Sequence, residues 1–136
     1  MSWSITIDSR EKTLIDAKKE FLYTISELDI GDIIIKHDDQ IQCLIERKTI
    51  SDYVSSITDG RLSNQTARIK ANCDNIIVIY LIEGTLPSDS YKFRNNIIGK
   101  SLYSSILGKM VRDHFYIWQS SSTLESIDFI HKLFIK

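Results

Sequence analysis

The run Ile76-Ile77-Val78-Ile79-Tyr80-Leu81-Ile82 constrains the fold more than any other part of the chain. It is apolar throughout and rich in β-branched residues, so it reads as a strand. Successive side chains on a strand point to opposite faces. Both faces of this strand are therefore apolar, and both must be covered. A strand of that kind belongs in the interior of a sheet that carries helices on each side. The chain has 136 residues, enough for one domain with a substantial core. Its 43% hydrophobic and 26% charged residues exclude a disordered polypeptide.

The surrounding segments supply the other elements. Trp3–Ile7 alternates with period two and predicts a first strand. Residues 11–27 place Leu14, Ile15, Ala17, Phe21, Leu22 and Ile25 along a helical face and predict one long helix. Ile33–Lys36 and Ile41–Glu46 predict a hairpin across His37-Asp38-Asp39-Gln40. Thr49–Ile57 and Arg61–Asn72 predict two helices separated by Asp59-Gly60. Beyond the central strand, residues 83–97 read as a loop, 98–112 as a helix, 115–118 as a strand and 124–134 as a final helix. This order describes an α/β sandwich around a mixed sheet. No repeat, low-complexity tract or linker divides it. No apolar run is long enough to cross a bilayer, and no signal peptide is visible, so no membrane partner is expected. Cys43 and Cys73 form neither a disulfide framework nor a cysteine-based zinc site, and read as thiols of an intracellular protein. His37, His114 and His131 show no ligand spacing.

The chemistry gathers at Glu46-Arg47-Lys48, at the end of the second hairpin strand. Glu46 and Lys48 share one face of that strand, and Arg47 takes the other. The hairpin folds Asp32, at the start of its first strand, back beside them. Two carboxylates with an ammonium alongside suit phosphodiester hydrolysis. The carboxylates hold Mg²⁺ or Mn²⁺ through oxygen, the metal acidifies a bound water, and the lysine orients that water or balances charge at phosphorus. A solvated, charged strand end would carry the same residue types.

The wider pattern separates the two readings. Ile7-Asp8-x-Arg10-Glu11 stands at the front, followed by Gly31-Asp32 and Glu46-Arg47-Lys48-x-x-x-Asp52. Ser56-Ile57-x-Asp59-Gly60-Arg61, Gln65-x-x-Arg68 and Tyr80-Leu81-Ile82-Glu83-Gly84 come after. In this order the motifs resemble the nuclease domain of the XPF/Mus-type structure-specific endonucleases, from about Asp8 to Gly84 and more loosely to the C-terminus. The resemblance implies a restriction-endonuclease-like three-layer sandwich, with a central mixed β-sheet flanked by helices. It implies a Mg²⁺- or Mn²⁺-dependent endonuclease acting on branched or flapped DNA. The abundance of isoleucine suits an AT-rich gene, as in a viral member of that family.

The resemblance also implies roles. Asp32 and Glu46 would be metal ligands, with the Arg47 carbonyl as a third, and Lys48 would contact the water or phosphate. Asp52 would support the site from the first turn after Lys48. Asp8 and Glu11 would stand beside the metal, Asp8 as a further ligand. Arg61, Gln65 and Arg68 share one helix face and would present donors to the DNA backbone. Alternatives stand beside several of these roles. Asp8 and Ser9 suit a helix cap. Asp52 suits a capping box with Thr49. Arg47 suits either a structural carboxylate or DNA.

Residues 92–112 carry Lys92, Arg94, Lys100, Lys109 and Arg112 and no acid, although the net charge of the chain is −1. Lys100 and Lys109 are the candidates there for phosphate contacts. Residues 1–136 read as a single nuclease-type domain, and no tandem helix-hairpin-helix motif follows the pattern. The resemblance further implies a homo- or heterodimer formed through this domain, located in the nucleus or at a viral replication site. Leu124, Ile127, Ile130, Leu133 and Phe134, with Phe115, Tyr116 and Trp118, would serve either that interface or the domain's own core. Two other functions fit the same residues: a non-catalytic scaffold that binds DNA or a partner, and a phosphodiesterase for small nucleotides such as cyclic dinucleotides.

Overall fold

A computed structural model describes residues 2–17 and 23–135. The elements in chain order are β1 (Trp3–Asp8), α1 (Lys12–Asp16), β2 (Thr24–Ser26), β3 (Ile33–His37), β4 (Gln40–Thr49), α2 (Ile50–Thr58), α3 (Arg61–Asn72), β5 (Ile77–Glu83), α4 (Gly99–Val111), β6 (Tyr116–Ser120) and α5 (Thr123–Phe134). The strands form one mixed sheet in the order β2-β1-β3-β4-β5-β6. β3 lies antiparallel to β1 and β4, while β4, β5 and β6 run parallel.

The apolar run predicted as a central strand is β5. It lies between β4 and β6, and its two faces feed two separate cores. Val78, Tyr80 and Ile82 join Leu44 beneath α2, α3 and α4, with Tyr53, Leu62, Ile69, Leu102 and Ile106. Ile79 and Leu81 join Ile5, Ile7, Ile33 and Ile45 beneath α1 and α5, with Leu14, Ile127 and Ile130. The result is the three-layer, restriction-endonuclease-like α/β sandwich. No helix among the described residues is long and apolar enough to cross a membrane.

The β3–β4 hairpin closes through Asp38 and Asp39, with φ of 49° and 67°. Left-handed conformation at both central residues gives the turn a twist that matches its strands. β4 is ten residues long and extends past the predicted Glu46 as far as Thr49. Thr49 then caps α2, its side chain accepting a hydrogen bond from Asp52 N at 3.1 Å. Gly60, at φ 80°, makes the corner between α2 and α3.

Two expectations change. Of the helix predicted over 11–27, the described residues show Lys12–Asp16, and Thr24–Ser26 forms an edge strand parallel to β1. Phe21 and Leu22 lie outside the described residues. Pairing with the β1 edge, aided by a 2.8 Å contact between the hydroxyls of Thr6 and Thr24, outweighs the helical spacing of Ile25. The apolar stripe of α5 also divides. Ile127 and Ile130 are buried, whereas Leu124 is 61% exposed. Phe115 is core, and Tyr116 and Trp118 stand open on the edge strand β6, Trp118 stacking on Phe129.

The turn before β3 sets the entry of Asp32. Gly31 has φ 80°, and a Cβ there would meet Leu44 Cγ at 2.7 Å. Gly31→Ala is expected to destabilise the domain by about 2 kcal/mol through positive-φ strain and overpacking. Urea unfolding checks this, and an unchanged midpoint would show that the turn relaxes freely.

Candidate active site

Backbone pairing brings the acidic groups together. Asp32 N donates to Ile45 O at 2.9 Å, and Asp8 N donates to Asp32 O at 2.8 Å. Three strand ends, those of β1, β3 and β4, are thus tied at one level. The Asp32 carboxylate accepts from Arg47 N at 2.8 Å, which holds it against β4 beside Glu46. Asp32 and Glu46 lie close enough to perturb each other's ionisation. Glu46 is only 4% exposed. Burial, then the neighbouring Asp32, pushes the Glu46 carboxyl up to about 9. Asp32 is also raised, again first by burial. Lys48, on the same face as Glu46, lowers both by Coulomb attraction.

The pair opens into a cleft of about 510 Å³. Its rim carries Arg10, Arg61 and Arg68, with Asn64 between the last two. Arg61 is bound to Asp59 at 2.6 Å, and Arg68 donates to Asp29 O at 2.6 Å. Both guanidinium groups are therefore ordered at the mouth by protein contacts.

Several assigned residues take other places, and others stay at the cleft. Asp8 lines the cleft, as expected, with its carboxylate engaged by the chain's own donors. Arg10 binds both of its carboxylate oxygens at 2.9 and 3.1 Å, and Leu28 N adds a bond at 2.8 Å. Burial would raise its carboxyl, but these donors hold it below the usual range. It does not cap α1, because the N-cap is Glu11, with no side-chain bond. Arg47 resolves toward a structural carboxylate. It makes a bidentate pair with Glu83 at 3.0 and 2.8 Å on the α5 side of the sheet. Glu83 also accepts from Ser126 at 2.7 Å. Asp52 is exposed on α2 and does not line the cleft. Gln65 lines the cleft, and its Nε2 donates one of its two hydrogens to Glu46 Oε2 at 2.9 Å. Lys100 is exposed but outside the cleft. Lys109 is withdrawn from the surface altogether, at 4% exposure, with its ammonium over the Tyr80 ring. The apolar face of α4, which Leu102 and Ile106 also occupy, carries it inward.

Glu11 keeps its expected place beside the pair. Its Oε1 is buried with no hydrogen-bond partner, and Arg47 Nη1 lies 3.6 Å away. Burial, then the charge of Asp32, pushes its carboxyl up to about 7. An orphaned buried oxygen and two carboxyls driven toward protonation are what a divalent cation would relieve. No three Asp, Glu, His or Cys side chains among the described residues converge on one point. The donor set of Asp32 and Glu46 therefore fits a hard cation that takes one or two carboxylates and completes its shell with water and phosphate oxygens, as Mg²⁺ does.

Glu83 and Tyr80 had no assigned role in the sequence. Their signal lay in the strand register. Glu46 pairs with Tyr80 and Arg47 with Leu81, so Glu83 falls diagonally beside Arg47 on the same face.

A domain model described as "ERCC4 domain" matches residues 7–133, and the chain belongs to that family. The ERCC4 domain-containing protein EP364R of African swine fever virus is 30% identical over 122 residues, covering 86% of this chain and 33% of the viral protein. The probable crossover junction endonuclease mus81 of Dictyostelium discoideum is 45% identical over 67 residues, covering 44% of this chain and 7% of that protein. The chain thus spans about a third of the length of the viral relatives and far less of the other. A solved structure titled XPF from Aeropyrum pernix, complex with DNA, superposes with a TM-score of 0.75 at 22% identity, over 98% of this chain and 64% of that one. That likeness establishes the shared fold.

Two predictions follow from the charge arrangement. Arg47→Met leaves Glu83 buried without its partner and is expected to cost about 3 kcal/mol; equilibrium unfolding measures it. The second concerns pH. The folded chain keeps the Glu46 proton that the unfolded chain releases, so without a divalent cation stability falls as pH rises between about 4.5 and about 9. Glu46→Gln is expected to flatten this decline and to exceed the wild type in Tm at the alkaline end. Thermal melts in EDTA across that window check it, and parallel curves would remove Glu46 as the source.

Proposed function

We propose that this chain is the nuclease domain of a metal-dependent endonuclease that hydrolyses phosphodiester bonds in branched or flapped DNA. The observation that carries this reading is the buried Asp32–Glu46 pair, with Lys48 on the same strand face, opening into a cleft rimmed by arginines. Membership of the ERCC4 domain family supports it. So do a relative named as a crossover junction endonuclease and a structural neighbour titled as a DNA complex.

Asp32 and Glu46 would hold Mg²⁺ or Mn²⁺. Bound there, the cation would supply Lewis acidity toward a phosphate oxygen and acidify a water. The chain's own residues do the rest. Arg47 N and Gln65 Nε2 orient the two carboxylates from behind. Lys48 places a positive charge where negative charge grows at phosphorus. Arg61 and Arg68 stand at the mouth, about two turns apart on α3, at a spacing that lets a backbone strand run along the helix. Pairing of this domain with a second copy or a related subunit would use the exposed Tyr116, Trp118 and Leu124 beside β6 and α5.

The test is a labelled panel of flap, splayed fork, duplex, single strand and cyclic dinucleotide, each with Mg²⁺, Mn²⁺ or EDTA. Branched substrates are expected to be cut only with metal. Asp32→Asn and Glu46→Gln are expected to lower the rate by roughly a hundredfold or more while the fold persists. Lys48→Ala is expected to lower kcat with little change in KM. A folded chain that cuts nothing would refute the proposal and favour a scaffold, and cutting of the cyclic dinucleotide alone would redirect the substrate.

A further inference from the structure

Behind Glu46 lies a polar chain that the metal chemistry does not itself require. It begins at Lys109. A buried lysine is normally paired with an acid, because its ammonium gives up hydration. Lys109 instead donates a hydrogen bond to Thr66 Oγ1 and stands 4.6 Å from the Tyr80 ring centroid. Burial pushes its pKa down to about 8. A cation on a ring face is attracted by the π-electrons and draws density from the phenol, which makes the hydroxyl a stronger donor. The ring cannot swing away, because Tyr80 is fully buried and stacks on Phe115 at 5.6 Å and 12°.

The Tyr80 hydroxyl donates to Gln65 Oε1 at 3.0 Å. A carboxamide has one accepting end and one donating end. With its oxygen occupied by Tyr80, Gln65 must present Nε2 to Glu46, which it does at 2.9 Å. With Glu46 ionised, as a bound cation would hold it, a flipped amide would set oxygen against a carboxylate oxygen and leave the tyrosine hydroxyl without its acceptor. Each link therefore fixes the polarity of the next, from α4 through α3 and β5 to Glu46 on β4.

We propose that Tyr80 is a positioning residue: braced by Lys109 and Thr66, its hydroxyl fixes the Gln65 amide, and the amide holds the Glu46 carboxyl in place through Oε2. The functional consequence rests on the metal-site reading of Glu46, but the orientation itself does not. Groups standing behind metal ligands typically change affinity by about tenfold or more when removed.

Two readouts on the purified chain test this. The side-chain amide NMR signal of Gln65, identified by its loss in Gln65→Ala, reports the amide without any metal. It is expected to be strongly shifted and slow to exchange in the wild type. In Tyr80→Phe, which keeps the ring and its packing, it is expected to move and to exchange about tenfold faster. A Mn²⁺ titration of the same samples is expected to show about tenfold weaker binding in Tyr80→Phe. Thr66→Val disconnects Lys109 while keeping the tyrosine hydroxyl, and is expected to move the signal less. If Tyr80→Phe does not fold, a Gln65 signal in Thr66→Val that moves from its wild-type position supports the proposal, and one that does not move overturns it. An unmoved Gln65 signal overturns the proposal, and so does a moved signal with unchanged Mn²⁺ affinity. A wild type that binds no Mn²⁺ would instead remove the metal reading, and the amide signal would then decide the positioning by itself.

Discussion

Two carboxyl groups held side by side out of water set the electrostatics of the cleft. Ionising both Asp32 and Glu46 in that position is costly, since each loses solvent and repels the other. The surrounding structure meets that cost with directed donors. Arg47 N serves Asp32, Gln65 serves Glu46, and the charge of Lys48 acts on both. Even so, Glu46 remains raised to about 9. What remains is a site short of positive charge, at the bottom of a cleft whose rim is supplied with arginine.

The placement of those donors follows from β4. Because strand side chains alternate, Glu46 and Arg47 fall on opposite faces of the sheet. Glu46 meets α3 and the polar chain behind it. Arg47 meets Glu83 and Thr123 in the α5 layer, where its partner Glu83 is held below the usual carboxylate range despite burial. One dipeptide thereby links both outer layers to the site. Arg47 contributes twice, its backbone N–H to Asp32 and its guanidinium to the opposite core. The domain's stability and the direction of its acidic pair are coupled through a single residue.

The alternation and the apolar runs were legible from residues alone, because a strand buried on both faces needs no partner to declare itself. Gly31-Asp32, Glu46-Arg47-Lys48 and Gly60 were legible for a similar reason, since turn geometry and period-two placement are local properties. The edge strand Thr24–Ser26 was not legible, because its helical spacing competes with pairing to β1, and only the assembled sheet offers that pairing. Lys109 was misplaced for the converse reason. Its position in a basic stretch suggested a solvated face, while the rotation of α4 against β5 turned it inward. Gln65 and Asp8 kept their place in the cleft, and the hydrogen bonds that engage them there, Gln65 with Glu46 and Asp8 with Arg10 and Leu28 N, were not legible.

By itself, then, the sequence determined the layered sheet, the hairpin that gathers Asp32, Glu46 and Lys48, and the order of motifs shared with the ERCC4 domain family. These rest on covalent order, backbone periodicity and turn chemistry, all of which act over a few residues. Tertiary structure alone decided how the acids are engaged: Asp8 by Leu28 N, Glu83 by Arg47, Glu11 with a buried oxygen that has no hydrogen bond, Glu46 held by an amide. The physical reason is that a charge's state depends on burial and on donors brought from distant parts of the chain. Neither exists until the sheet and its helices have packed.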